Sequence, residues 1–347
     1  MDSPLSNKKI NLALQGGGAH GAFTWGVLDT ILQDERIEIA GVSGTSAGAL
    51  NAAALKAGMI KNGAQGARDM LDWLWTKVGG QTQPLLHQWL SPFGPDGISD
   101  AIENSIPYVM GEAMVRMLSP YSFGPLYKNP LSDIVAEFDF AKVCCDEGPA
   151  LFINATRVRD GKLRVFSAAE VSPEVLMASA CLPTLFKAIE IFDKDTGQTE
   201  AFWDGGYTGN PALFPLFSGS LPSDILIINI NPLERTELPT TAQQIQNRLN
   251  EISFNSSLLR EMRAINFVQR LLDEGTLKPG TMAKVYTHMI ADDALMNALS
   301  VATKTVPNNY IITTLKEAGQ KAAKTFLEKH YKDLNKRSSL DLQKMFN

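Results

Sequence analysis

Apolar positions near the start of the chain follow two alternating patterns. Residues 9–15, KINLALQ, are a short apolar run that stops at three glycines, the mark of a buried strand. In GAFTWGVLDTILQD, Phe23, Val27, Leu28 and Ile31 recur at helical spacing. IEIAGVSG reads as a second strand and SAGALNAAALKAG as a second helix, with Gly58 placed to cap it. Strand, glycine loop, helix, strand, sharp turn, helix is the order of a parallel sheet covered by helices.

Residues 79–127 break this alternation. They are rich in Pro, Gly, Trp, Met and Leu with weak periodicity, and read as an insertion or cap over the sheet edge. An irregular part of the core is the plain alternative. From residue 150 the strand signal returns. ALFINATRV and KLRVFSA flank Asp160-Gly161, a hairpin signal. PEVLMASA reads as a helix, and FKAIEIF and TEAFW form a second hairpin around DKDTGQ. DILIINI, residues 224–230, is continuously apolar and is expected to be a central strand.

Residues 241–274 read as helix, with a break expected near Asn255-Ser256-Ser257, and MAKVYTHMI as a last strand. Between Leu315 and Leu334, Leu315, Ala318, Ala322, Phe326, Tyr331 and Leu334 share one helical face opposite a lysine-rich one. Such a helix packs on its own domain; contact of its lysines with an anionic membrane is the rarer alternative. No repeat, low-complexity tract or linker divides the chain. A single domain over 1–347 is expected, with a motif-bearing core at about 9–232 and a mainly helical part at 241–347.

Composition narrows the function classes. Of 347 residues 44% are hydrophobic and 20% charged, enough for a sizeable core, and the net charge of -5 speaks against a nucleic-acid footprint. Cys144 and Cys145 are adjacent, Cys181 is the third, and no C-x-x-C occurs, which disfavours a disulfide framework or zinc site. No EF-hand or zinc spacing is present, so neither metal nor cofactor is expected. MDSPLSNKKI lacks the apolar region of a signal peptide, and no apolar run approaches the roughly 18 residues of a membrane span. The expected location is cytoplasmic, without a transmembrane segment; a non-classical export signal would escape this reading.

QGGGAHG, residues 15–21, contains Gly16-x-Gly18-x-x-Gly21, a match to the dinucleotide fingerprint. That fingerprint wants an acid about 20 residues on, at the end of the second strand; Glu38 instead begins that strand. No Gly-Lys-Ser/Thr follows, so the loop is no Walker A site. Exposed N–H groups at a helix N-terminus suit a phosphate, and equally a developing oxyanion.

At the strand end stands Gly44-Thr45-Ser46-Ala47-Gly48, a G-x-S-x-G between strand and helix. A turn that tight needs tiny neighbours and lifts the serine hydroxyl above the sheet, so Ser46 is a candidate nucleophile; a structural turn serine is the alternative. Of the four histidines, His20 lies inside the glycine loop, His87 in the 79–127 region and His330 in the lysine-rich helix. His288, after the last apolar run, is the one in plausible triad order, and a structural role suits it better. Asp204, in FWDGGYTGNP, follows an apolar strand end and precedes Gly205 and Gly206. It is a candidate base or a plain turn former.

Gly16-Gly17-Gly18-x-x-Gly21, Gly44-x-Ser46-x-Gly48 and Asp204-Gly205-Gly206, in that order, resemble the patatin-like phospholipase family, as does Ser179-Ala-Cys-Leu-Pro183 upstream of the aspartate. The resemblance covers roughly residues 9–232. It implies a three-layer α/β/α fold, a Ser-Asp dyad without histidine, Ser46 as nucleophile, Asp204 as base and Gly16, Gly17 and Gly18 as oxyanion loop. The family loop often carries Arg or Lys before its last glycine. His20 stands there, so the backbone donors carry over but a fixed cation does not.

A free aspartate, with a pKa of about 3.9, is a weak base for a serine hydroxyl; burial raises its basicity, and Phe202 and Trp203 are placed to bury it. The implied activity is hydrolysis of lipid carboxylic esters through an acyl-enzyme, at a lipid interface with peripheral membrane or granule contact. Trp89, Phe93, Met110, Met114, Met117 and Phe123 are candidates to line or cap an acyl channel. The runner-up is an esterase or depolymerase of storage polyester such as polyhydroxyalkanoate, using the same dyad. A dinucleotide-binding domain and a catalytically dead membrane-associating protein are the readings from other classes.

Overall fold

The computed structural model describes residues 7–80, 94–235, 237–278 and 280–346, apart from the side chains of residues 96, 112, 113, 115, 116, 125, 126 and 243. Strands β1 (Lys8–Leu14), β2 (Ile37–Thr45), β3 (Ala150–Arg157), β4 (Leu163–Ser167), β5 (Ile189–Asp193), β6 (Gln198–Asp204), β7 (Asp224–Ile228) and β8 (Tyr286–Ile290) form one sheet in the order β5-β6-β3-β2-β1-β7-β8, with β4 beside β3. The run from β8 through β7, β1 and β2 to β3 is parallel. The two hairpins, β3–β4 and β5–β6, add the antiparallel part.

Both faces of the sheet are buried. Leu226 and Ile228 of β7 join Leu12 and Leu14 of β1 in a core shared with helix α1 (Gly21–Gln33), helix α2 (Ala47–Gly79) and the helix Asn309–His330. Their neighbours Ile225 and Ile227 point the other way, with Ala13, onto Leu258, Met262 and Ile265 of the helix Ala242–Asp273. The period of two along β7 thus fills two separate cores, which makes the architecture three-layered. Phe23, Leu28 and Leu55 are wholly buried; each such side chain contributes about 1.5–3 kcal/mol.

One feature of the sheet positions the site. β3 carries β4 along Phe152–Thr156. Its other side is shared end to end: β2 pairs through Thr45↔Asn154, and β6 continues from Asp204↔Ala155. Two strand ends, one arriving parallel and one antiparallel, therefore meet at adjacent positions of β3.

Two expectations are corrected. Gly58 does not cap a helix: α2 runs on to Gly79, and its irregularity is at Asn62 and Gly63. Gly58 is instead where α2 folds against its own continuation, since a Cβ there would strike the Gly66 carbonyl. The helix Ala242–Asp273 is unbroken at Asn255, because that side chain is buried and bonds the Asn231 and Pro232 carbonyls. In the middle region, Met110, Met114, Met117 and Phe123 are 68%, 50%, 84% and 40% exposed. The helix Ile106–Met117 turns its apolar side away from the core, whereas Ile98 and Ile102 of the preceding helix Gly94–Glu103 are buried. His87, Trp89 and Phe93 lie outside the described residues. Among the described residues no helix is long and apolar enough to cross a membrane.

Candidate active site

Ser46 sits alone between β2 and α2 at φ 55, ψ -122. A side chain in this region of the backbone map costs about 1–3 kcal/mol and persists only where its surroundings hold it. Ser179 Oγ accepts from Ser46 N at 3.0 Å and donates to the Asn154 carbonyl at 2.6 Å. Asn154 Nδ2, within 3.1 Å of each, bonds Ser43 Oγ, the Gly44 carbonyl and Thr45 Oγ1. A Cβ on Gly44 would lie 2.5 Å from the Gly48 carbonyl, and one on Gly48 would strike the Leu14 carbonyl. The small residues of the turn are thus a packing requirement.

Asp204 ends β6 beside this turn and is wholly buried. Its Oδ1 accepts from Gly206 N at 2.7 Å. Burial raises its pKa to about 7, against the partial lowering by hydrogen bonds from Gly206 and the Ser46 hydroxyl. The Ser46 contact is loose: Oδ2 is buried without a hydrogen bond of good geometry. Such pairs commonly tighten only when substrate arrives. The Cys181 thiol and Tyr207 phenol are pushed up to about 12, first by burial and then by the Asp204 charge, so both neighbours are neutral.

The glycine loop completes the constellation. A Cβ on Gly16 would lie 2.6 Å from Ser46 Cβ, so the loop rests directly on the serine turn. The Gly16 N–H is taken by Asn210 Oδ1 at 2.7 Å. Among the described residues, nothing in the protein takes the N–H of Gly17 or Gly18. The Gly16 carbonyl accepts from Asn231 Nδ2 at 2.8 Å and Asn210 Nδ2 at 3.3 Å. Gln15 Oε1 receives Ile230 N, Asn231 N and Asn231 Nδ2, tying the loop to the chain after β7.

Of the sequence candidates, Ser46, Asp204, Gly205 and Gly206 and the glycines of the loop come together here. The described histidines do not. His20 is buried with Nε2 on Thr303 Oγ1 at 2.8 Å, and burial, then the Lys304 charge, hold it well below the usual imidazole range. His288 lies on β8, between Asp224 Oδ1 at 3.0 Å and Ser339 Oγ at 2.9 Å. His330 bonds Asp333 Oδ2 at 2.9 Å. Sequence reasoning missed Gln15, Asn154, Asn210, Asn231 and Lys304. The available signal was an amide inside an apolar run, as in ALFINATRV and IININ. Among the described residues no group of His, Cys, Asp and Glu could hold a metal ion.

Comparison with known proteins bears on this site. Solved structures similar to the chain include VipD from Legionella pneumophila, at 17% identity and TM-score 0.40, over 94% of this chain and 68% of that one. The type III effector ExoU matches at 16% and 0.35, over 93% and 53%. The heterodimeric ExoU–SpcU complex of the Pseudomonas aeruginosa type III secretion system matches at 18% and 0.32, over 94% and 61%. The chain thus spans between 53% and 68% of these chains' lengths. A search of curated proteins found no match. The family model of the patatin-like phospholipases matches residues 12–217, more than half of the chain, a stretch that holds the glycine loop, Ser46 and Asp204; the chain belongs to the patatin-like phospholipase family, and with it to the lipid ester hydrolases.

Proposed function

We propose that the chain hydrolyses carboxylic esters of lipids through an acyl-enzyme on Ser46, with Asp204 as the base. The observation that supports this most is a wholly buried carboxyl, its pKa raised to about 7, beside a serine held at positive φ on a strand-to-helix turn. At that pKa half the carboxyl is ionised near neutrality, the best compromise between being deprotonated and being basic. Asp204 takes the Ser46 proton as Oγ attacks the ester carbon, then gives it to the departing alcohol. Water enters, loses a proton to Asp204 as it attacks the acyl-enzyme, and Ser46 regains that proton as the acid leaves. The free N–H groups of Gly17 and Gly18 stabilise the oxyanion of both tetrahedral intermediates. Gly16, its N–H engaged, shapes the loop.

The lipid surface meets the exposed apolar side of Ile106–Met117 and the 3-10 segment Pro120–Leu126. Tyr121 of that segment and Tyr127 just after it accept from the backbone N–H of Ala188 and Lys187, which follow Cys181 and lead back into the hairpin of Asp204. The apolar patch and the site are thereby joined through one loop.

The test is turnover of phospholipid vesicles, soluble acyl esters and amorphous polyhydroxyalkanoate by wild type and Ser46→Ala. Release of fatty acid from phospholipid, lost in the variant, is expected. Turnover of polyester with phospholipid untouched would replace lipid by polyester as substrate; no Ser46-dependent turnover would sink the reading.

A further inference from the structure

Lys304 lies in the short helix Val301–Thr305, beyond the residues that carry the family match, yet it packs against the glycine loop. A Cβ on Gly18 would strike the Lys304 carbonyl. Its Nζ donates to Asn231 Oδ1 at 2.9 Å. An ammonium can only donate, so Asn231 must present its oxygen to Lys304 and its Nδ2 to the other side. That Nδ2 meets the Gly16 carbonyl at 2.8 Å and Gln15 Oε1 at 3.1 Å. The Gly16 carbonyl and the Gly17 N–H belong to one peptide unit.

We propose that Lys304 is a positioning residue for the oxyanion loop: through Asn231 it fixes and polarises the Gly16–Gly17 peptide, so that the Gly17 N–H is aimed at the substrate oxyanion. This rests on the acyl-enzyme reading above. A cation at one end of a chain of hydrogen bonds strengthens each donor along it. The Asn231 amide held this way withdraws electrons from the Gly16 carbonyl and makes the Gly17 N–H a better donor. Without the cation, Asn231 keeps its Nδ2 bonds to the Gly16 carbonyl and Gln15 Oε1 but loses the partner that anchors and polarises its Oδ1, so the peptide is held less firmly and its N–H is a weaker donor.

The arrangement has a pH limit. The charged and titratable groups around Lys304 are Glu251 and Arg248 of Ala242–Asp273, Arg235 before that helix and His20 in the loop. Glu251 pairs with Arg235 at 2.6 Å and Arg248 at 3.2 Å, and Glu103 of Gly94–Glu103 acts on Arg235. Burial lowers Lys304 to about 8; Glu251 opposes this and Arg235 adds to it. His20 is neutral at that pH. Protonated Lys304 is the working form, so kcat falls as pH rises past about 8.

The test compares the full-length wild type with Lys304→Met, Lys304→Arg and Asn231→Asp, reading kcat and KM on a soluble p-nitrophenyl ester across pH and the rate of fluorophosphonate labelling at Ser46. Loss of an oxyanion donor outright costs about 10²–10³ in kcat; acting through one, Lys304→Met is expected to cost roughly 10–100-fold, with little change in KM. Lys304→Met also loses the alkaline limb, whereas Lys304→Arg restores much of kcat without that limb. A folded Lys304→Met with wild-type kcat, or one that keeps the limb near pH 8, overturns the proposal. If Lys304→Met fails to fold, Asn231→Asp decides: it keeps an acceptor for Lys304 but withdraws the donor to Gly16, so wild-type kcat there overturns the proposal and a fall supports it. Wild type that does not label at Ser46 removes the acyl-enzyme reading and this inference with it; wild type that labels beside an unaffected Lys304→Met removes this inference alone.

Discussion

Ser46 and Asp204 stand at the meeting point of two strand ends on β3: Thr45, just before the serine, pairs with Asn154, and Asp204 pairs with Ala155, the next residue. No loop of adjustable length sets their spacing; the sheet register does. A general base positioned this way contributes about 10²–10⁴ to the rate. Asp204→Asn, which keeps the shape and the acceptor for Gly206 N, is expected to lower kcat by that factor with KM little changed. Wild-type kcat/KM should rise with pH through about 7, where the carboxyl loses its proton. Steady-state kinetics across pH checks both.

The same carboxyl burdens the fold. Its pKa is about 7 when folded against a model value of 3.8. Between these values the folded state holds the extra proton, so stability falls as pH rises from about 4 to about 7. Asp204→Asn should therefore raise the thermal midpoint at pH 8, by at most about 4 kcal/mol of stability, and leave it unchanged near pH 4. Calorimetry at the two pH values checks the sign; a destabilised variant at pH 8 would contradict it.

Ser179 holds the strained turn by accepting from Ser46 N and donating to the Asn154 carbonyl. Ser179→Ala leaves two buried groups unpaired, each costing about 1–3 kcal/mol. The variant should unfold at lower denaturant and lose about tenfold in kcat as the Ser46 backbone relaxes. Urea melts and soluble-ester kinetics measure the two effects; full activity would mean that the turn is held without Ser179.

Met110 and Met117 are 68% and 84% exposed on the apolar side of Ile106–Met117. Replacing both by Ser should weaken co-sedimentation with phospholipid vesicles by about a hundredfold or more, since each buried apolar side chain is worth about 1.5–3 kcal/mol. Unchanged vesicle binding would place the lipid contact elsewhere.

Much of this arrangement was legible in the sequence because it is local. The apolar run before Gly16, the G-x-S-x-G turn and the Asp160-Gly161 hairpin each carry their structure in a few residues. What escaped notice is long-range. Nothing near Asn154 announces that its amide ties the turn at Ser43 to Thr45, and Lys304 looks like one of several helical lysines until Asn231 is seen to meet it. Asn255-Ser256-Ser257 suggested a broken helix because these residues favour turns when exposed; Asn255 is instead a buried anchor for the Asn231 and Pro232 carbonyls.

The most direct measurement is fluorophosphonate labelling of wild type, Ser46→Ala and Asp204→Asn, with peptide mapping of the modified residue. One label per chain on Ser46, absent from Ser46→Ala and formed far more slowly in Asp204→Asn, is the expected result. Labelling at another residue, or equal rates with and without the Asp204 carboxylate, would contradict a serine activated by that carboxylate.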